Sequence, residues 1–221
     1  DNSFIALGLM SGTSGDGVDS SIIHSDGMDR FVIKTNNYDP YPPQIYDEIH
    51  RIKEKIQSSR DLTKFANELE YLQDKLTIFH ANLTKKRIKS FHVDIIGFHG
   101  QTIFHNSDEK ISRQLGLGKK LSKLTKKTVV YNFRQNDLKN GGEGAPLAPI
   151  YHKLLFKAFK KKRKLKLPTI VLNIGGIANI TVLNKNYKMH SMDIGPGNCL
   201  IDKWIRLNSN KKFDKNGDIS R

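Results

Sequence analysis

Gly8-Leu9-Met10-Ser11-Gly12-Thr13-Ser14-Gly15-Asp16-Gly17-Val18-Asp19 links one apolar strand to another through a turn dense in backbone donors, hydroxyls and carboxylates. Its glycines let main chain approach an anion without a Cβ in the way, Thr13 and Ser14 can donate hydrogen bonds, and Asp16 or Asp19 can hold the water shell of Mg²⁺. These are the parts of a loop that holds nucleotide phosphates. The same residues also make an ordinary tight hairpin, so the decision rests on what surrounds them.

Outward from the turn, residues 4–10 and 18–24 read as strands. A third at 31–35 follows the Asp26-Gly27 turn signal, giving an antiparallel meander. Pro42-Pro43 then opens a helix with Ile45, Ile49, Ile52 and Ile56 at helical spacing. A longer helix begins at Asp61 and carries Leu62, Phe65, Leu69, Leu72, Leu76, Phe79 and Leu83 on one face. Residues 93–98 form a strand ending at His99-Gly100-Gln101-Thr102, and residues 128–133 form another ending at Arg134. A helix is expected over 147–159 and strands over 169–174, 179–183 and 187–194. Asn198 stands where it would cap a helix bearing Leu200, Ile201, Trp204 and Ile205. Three strands, alternating helices and strands, and a second meander from about Pro168 describe an α/β fold with two related halves.

Composition narrows the class. At 221 residues with 37% hydrophobic content the chain can bury a real core. The formal charge of +15 comes from scattered lysines and one run, Lys157, Lys160, Lys161, Lys162, Arg163, Lys164 and Lys166. That run reads as a solvated helix end or as a contact for an anionic partner, and Phe159 at its start is the one aromatic residue within it, too little to stack successive bases. The single cysteine, Cys199, excludes an intramolecular disulfide framework and suits a reducing compartment. With no apolar stretch of membrane-spanning length and no signal-peptide pattern, a cytoplasmic location is expected, with no membrane and no nucleic-acid partner. Asp1 in place of Met reads as a missing or processed start.

Two further segments have the composition of a reactive site. Asn173-Ile174-Gly175-Gly176-Ile177-Ala178-Asn179 repeats the strand, small-residue turn and strand of the first loop, and reads either as its phosphate-binding counterpart or as an unrelated hairpin. Asp193-Ile194-Gly195-Pro196-Gly197-Asn198 sets a carboxylate at a strand end before a rigid turn, a position suited to a general base and equally common in plain turns. Other motifs fail. Gly116-Leu117-Gly118-Lys119-Lys120 lacks the spacing and hydroxyl of a Walker loop, and Asp214-Lys215-Asn216-Gly217-Asp218 misplaces the glycine of a calcium loop. His99 and His105 lack partners at zinc spacing and read as structural or substrate-contacting histidines. There is no nucleophile elbow.

Five motifs occur in order: Met10-Ser11-Gly12-Thr13-Ser14 with Asp16-Gly17; Phe98-His99-Gly100-Gln101-Thr102; Arg134 and Asp137 with Gly141-Gly142-Glu143-Gly144-Ala145-Pro146-Leu147; Leu172 through Asn179; and Asp193 with Gly195-Pro196-Gly197-Asn198. Together they closely resemble the anhydro-N-acetylmuramic acid kinase family. The resemblance implies an α/β, actin-like ATPase (ribonuclease H-like) fold of two lobes, with an N-terminal lobe over 1–167 and the start of a nucleotide lobe over 168–221. Family members follow Phe213-Asp214-Lys215-Asn216-Gly217 with much more sequence, so a truncated member with an incomplete second lobe is expected.

What the family implies for function is an ATP- and Mg²⁺-dependent phosphotransferase. It converts 1,6-anhydro-N-acetylmuramic acid and water to N-acetylmuramic acid 6-phosphate in peptidoglycan recycling. By motif, Gly12, Thr13, Ser14, Gly15, Asp16, Gly17, Val18 and Asp19 would form the first ATP-phosphate loop, with Asp16 and Asp19 toward the metal. Gly175 and Gly176 would belong to the second loop, and Asp193 would be the general base. Gln101, Arg134 and Asp137 match positions around the sugar, where Arg134 either pairs with the lactyl carboxylate or bridges the lobes. A homodimer would fit the family. Gly15 departs from the apolar residue usual there and is expected to loosen the loop. The alternative is a catalytically silent member that still binds sugar or nucleotide.

Overall fold

The computed structural model describes residues 3–160 and 162–220, so Lys161 of the basic run lies outside the described residues. The chain divides into two compact units between Ala145 and Pro146.

The first unit is built on a mixed sheet. Strands β1 (Phe4–Ser11), β2 (Gly17–Ser25) and β3 (Phe31–Pro40) form the expected antiparallel meander. β1 then pairs in parallel with β4 (Ile95–Asn106). The first half of β4 pairs in parallel with β6 (Thr128–Tyr131), and its second half folds back antiparallel on β5 (Ile111–Leu115). The order β3-β2-β1-β4-β6, antiparallel at one side and parallel at the other, is the strand order of a ribonuclease H-like domain. Alternation in β1 sends Leu7, Leu9 and Ser11 inward, and β2 sends Val18, Ser20 and Ile22 to the same side. There they meet Ile49 and Ile52 of α1 (Pro43–Lys55) and Leu69, Leu72 and Leu76 of α3 (Ala66–Ile88) in one core with Ile96, Phe98, Leu115 and Leu121.

Several boundaries differ from the sequence pattern. β3 runs on to Pro40 because its polar residues pair with the whole of β2 along a half-exposed edge that apolar patterning does not mark. The helix expected from Asp61 is two: α2 (Ser59–Lys64) and α3, broken at Phe65. A capping box between Ser58 and Asp61 starts α2. β4 does not stop at His99 but passes through the 99–102 motif, taking Gly100 at φ +76. β5 and α4 (Gly118–Thr125) were not expected, nor was α5 (Phe133–Lys139), which places Arg134 in a helix and not at a strand end.

The second unit is a meander of β7 (Thr169–Ile174), β8 (Ile177–Leu183) and β9 (Met189–Pro196) with α6 (Pro149–Phe159) and α7 (Cys199–Asn208). α6 falls with this sheet, so the division comes earlier than the expected 167/168. The imidazole of His152 on α6 meets the buried Thr181 hydroxyl at 2.8 Å. The opposite face, with Ile170, Leu172, Ile174 and Met192, is exposed. Asn198 occupies the N-cap position of α7, but its side chain makes no capping bond.

Candidate functional site

In the first unit the site begins where β1 ends. Ser11 is fully buried, and its Oγ lies 2.7 Å from the Tyr41 hydroxyl and 3.2 Å from Nε2 of His80. His80 on α3 is buried too, and its Nδ1 is 2.7 Å from the Leu76 carbonyl. A carbonyl only accepts, so Nδ1 carries the proton and Nε2 accepts from Ser11, which in turn accepts from Tyr41. Burial pushes His80 down to about 4 and Tyr41 up beyond the usual phenol range, so both are neutral and the chain of bonds has one direction. These three residues, far apart in sequence, pin the base of the loop.

Above them the turn carbonyls are engaged by the protein. The Gly12 carbonyl accepts from the Gly15 amide at 3.2 Å and from Gln101 Nε2 at 2.8 Å, the Asp16 carbonyl accepts from the Tyr41 amide at 2.9 Å, and Lys53 Nζ donates to the Thr13 carbonyl. Among the described residues the amides of Thr13 and Ser14 have no hydrogen-bond partner. A turn with three of its carbonyls engaged and two successive amides unengaged can act as a nest for an anionic oxygen.

Gly15 fits this turn tightly. It takes φ +68, is buried, and a Cβ there would stand 2.9 Å from Ile49 Cγ2. The expected loosening does not appear: α1 occupies the space an apolar side chain would need.

The carboxylates flank the turn. Ser14 Oγ donates to Asp16 at 2.6 Å. Burial, then the charge of Asp16, raises Asp19, and the same two causes push the Tyr38 phenol up to about 12. Two carboxylates near enough to repel each other are a hard-oxygen set that suits Mg²⁺, whose remaining ligands are usually water and phosphate. No cluster of three or more metal-ligating side chains occurs among the described residues.

Gln101 is placed behind the loop. It is 0% exposed, its amide nitrogen serves the carbonyls of Gly12 and Thr102, and its Oε1 is buried without a partner. In this arrangement it ties β4 to the turn.

Arg134 and Asp137, one turn apart on α5, converge on a single residue of the glycine-rich loop. The Gly144 carbonyl accepts from Arg134 Nη1 at 3.1 Å, and the Gly144 amide donates to Asp137 Oδ2 at 2.8 Å. Gly144 has φ +74, and a Cβ there would come 2.9 Å from Leu138. Gly142 lies directly on the Asp137 carboxylate. Arg134 Nε donates to His99 Nε2 at 2.9 Å, an interaction that sequence reasoning missed although His99 was singled out.

In the second unit the turn of Gly175 and Gly176 is braced by the turn before α7. The Gly175 carbonyl accepts from the Asn198 amide at 2.9 Å, and the Gly176 carbonyl from the amides of Gly197 at 2.9 Å and Cys199 at 3.3 Å. Gly197 packs directly on the Gly175 carbonyl. Asp193 is exposed in β9 opposite Asn179, next to a register shift at Ala178/Asn179. The 214–218 segment uses its acid locally: Asp214 accepts from the amides of Ile219 at 2.9 Å and Ser220 at 3.1 Å.

Comparison with known proteins bears on the whole chain. The family model described as anhydro-N-acetylmuramic acid kinase matches residues 4–221. A protein of that name from Pelagibacter ubique (strain HTCC1062) is 52% identical over 221 residues, covering 98% of this chain and 58% of the relative. Its namesake from Rhizobium etli is 37% identical, covering 97% of this chain and 58% of the relative. Among solved structures, a type II variant of the Aquifex aeolicus Ppx/GppA phosphatase aligns with a TM-score of 0.45 at 14% identity, over 91% of this chain and 55% of that one. The chain thus spans 58% of the length of the curated relatives it matches. On the extent of the family match and the identity to these relatives, this chain belongs to the anhydro-N-acetylmuramic acid kinase family.

Proposed function

We propose that the chain contributes to an ATP-dependent kinase that converts 1,6-anhydro-N-acetylmuramic acid and water to N-acetylmuramic acid 6-phosphate, in the recycling of peptidoglycan in the cytoplasm. The observation that carries this reading is the turn at 12–16, with the carbonyls of Gly12, Thr13 and Asp16 engaged by the protein and the amides of Thr13 and Ser14 unengaged, which suits a nucleotide phosphate. Asp16 and Asp19 would hold Mg²⁺, which neutralises phosphate charge when bound. The Gly175–Gly176 turn would take part in the same task from the second unit.

Asp193 is assigned as the general base. It takes a proton from the water that adds to the anomeric carbon; the bond from that carbon to O6 breaks as O6 bonds to the γ-phosphorus, and ADP leaves. Phosphoryl transfer of this kind needs positioning and charge stabilisation more than covalent help from the protein, which is what braced loops supply. Arg134 would pair with the lactyl carboxylate. Gln101, which ties β4 to the phosphate turn, and Asp137, which holds the Gly144 loop, would belong to the surroundings of the sugar. The domain reading that goes with this function is an N-terminal lobe carrying the first phosphate loop and the sugar-site segments, followed by the beginning of a nucleotide lobe.

Replacing Asp193 by Asn in the protein at its natural full length should abolish phosphate incorporation into the anhydro sugar while ATP binding, followed by calorimetry, stays within about 3-fold. Retained turnover would sink the assignment.

A further inference from the structure

His99 and Arg134 form a pair that no ion-pair role explains. Among the described residues Arg134 has no carboxylate partner within salt-bridge distance: its Nε–H goes to His99 Nε2, one Nη1–H goes to the Gly144 carbonyl, and Nη2 has no partner. His99 Nδ1 lies 2.7 Å from the Gly100 carbonyl, so Nδ1 bears the proton and Nε2 is an acceptor, the only tautomer compatible with both contacts. Gly100 owes this carbonyl position to its φ of +76 within β4, where a Cβ would strike the Leu115 carbonyl at 2.5 Å.

A half-buried guanidinium fixed by two neutral acceptors keeps its full charge and has the unengaged Nη2 group to offer an anion. A carboxylate partner in the protein would have neutralised it. Burial, with the Arg134 cation beside it, pushes His99 down to about 4, which keeps the imidazole neutral at ordinary pH.

We propose that His99 is a positioning residue that holds Arg134 in register to recognise the carboxylate of the sugar's lactyl group, and so sets selectivity for acidic over neutral anhydro sugars. This rests on the kinase reading above, with Arg134 as the carboxylate contact. His99 itself touches no substrate. It acts by fixing the plane of the guanidinium, which sits on the long stem of an otherwise rotamer-rich side chain.

The test is calorimetric binding at pH 7 of 1,6-anhydro-N-acetylmuramic acid and of 1,6-anhydro-N-acetylglucosamine, which lacks the lactyl group, using the protein at its natural full length. The unaltered protein should bind the acidic sugar about 10- to 100-fold more tightly, the range expected for a charge-assisted hydrogen-bonded contact. His99→Ala should shrink that ratio to within about 3-fold of unity while affinity for the neutral sugar changes little. His99→Gln, whose amide oxygen can replace Nε2 as acceptor, should keep most of the ratio.

A folded His99→Ala protein with the original ratio overturns the proposal, as does equal weakening toward both sugars, which marks a purely structural role. Loss of the ratio in a folded His99→Gln protein also overturns it, and that arm stands even where the alanine variant fails to fold. An unaltered protein that binds both sugars equally removes the carboxylate contact and the proposal with it. Binding of neither sugar removes the kinase reading on which the proposal rests.

Discussion

At position 15 the backbone sits at φ +68 in contact with α1, and only glycine meets both conditions without adjustment. A left-handed backbone costs an L-residue about 1–2 kcal/mol, and contact with Ile49 adds to that. Gly15→Ala should therefore lower stability by at least ~1 kcal/mol in urea denaturation; an unchanged midpoint would show that α1 gives way. The sequence marked this residue as a departure from its family but not the sense of the departure, because the compensating atoms belong to a helix more than thirty residues away. Gln101 and Arg134 illustrate the same limit. Residue type marks them as candidate ligand contacts, yet whether an amide or guanidinium faces a ligand or a loop carbonyl depends on contacts that composition does not encode. The chain of Tyr41, Ser11 and His80 was invisible for the same reason.

Among the elements, the strands of both meanders were legible because apolar residues alternate and turn signals separate them. α5 was not, since it spans Phe133–Lys139 with only Leu138 buried, too short for a helical period to emerge. The glycine and polar residues at 99–102 resemble a strand terminus, whereas they belong to a strand whose second half changes partner from β6 to β5. The leucines of α3 mark it as core, and His80 on that helix makes it acid-sensitive. Native His80 titrates near 4 and the unfolded chain near 6.5. Above pH 6.5 both states are neutral and nothing is lost. Between 6.5 and 4 the unfolded state takes up a proton that the native state refuses, so stability falls as pH falls, by on the order of 3 kcal/mol across the window. Urea midpoints from pH 7.5 to 4 should show this slope. A His80→Gln protein, weaker at pH 7, should lose less over the same range, and a parallel slope would count against the assignment.

For the molecule as a whole, the second unit carries an apolar sheet face that the described residues leave open: Ile170 is 62% exposed, Leu172 53%, Ile174 65% and Met192 54%. Contiguous exposed patches of this kind promote association or mark a contact surface. The 221-residue chain studied alone should enhance the fluorescence of a hydrophobic dye, and the double substitution Ile170→Lys with Leu172→Lys should cut that signal at least ~2-fold with the far-ultraviolet spectrum unchanged. An unaltered signal would place the dye elsewhere.

The hold on Gly144 has a genetic consequence. One helix grips both the amide and the carbonyl of a single residue, and that residue's own conformation excludes a side chain, so Arg134, Asp137 and Gly144 form one unit of inheritance. The first substitution among the three releases the loop, and a second finds little left to disrupt. Their effects should combine as strong epistasis, and lineages would be expected to keep or replace the three together.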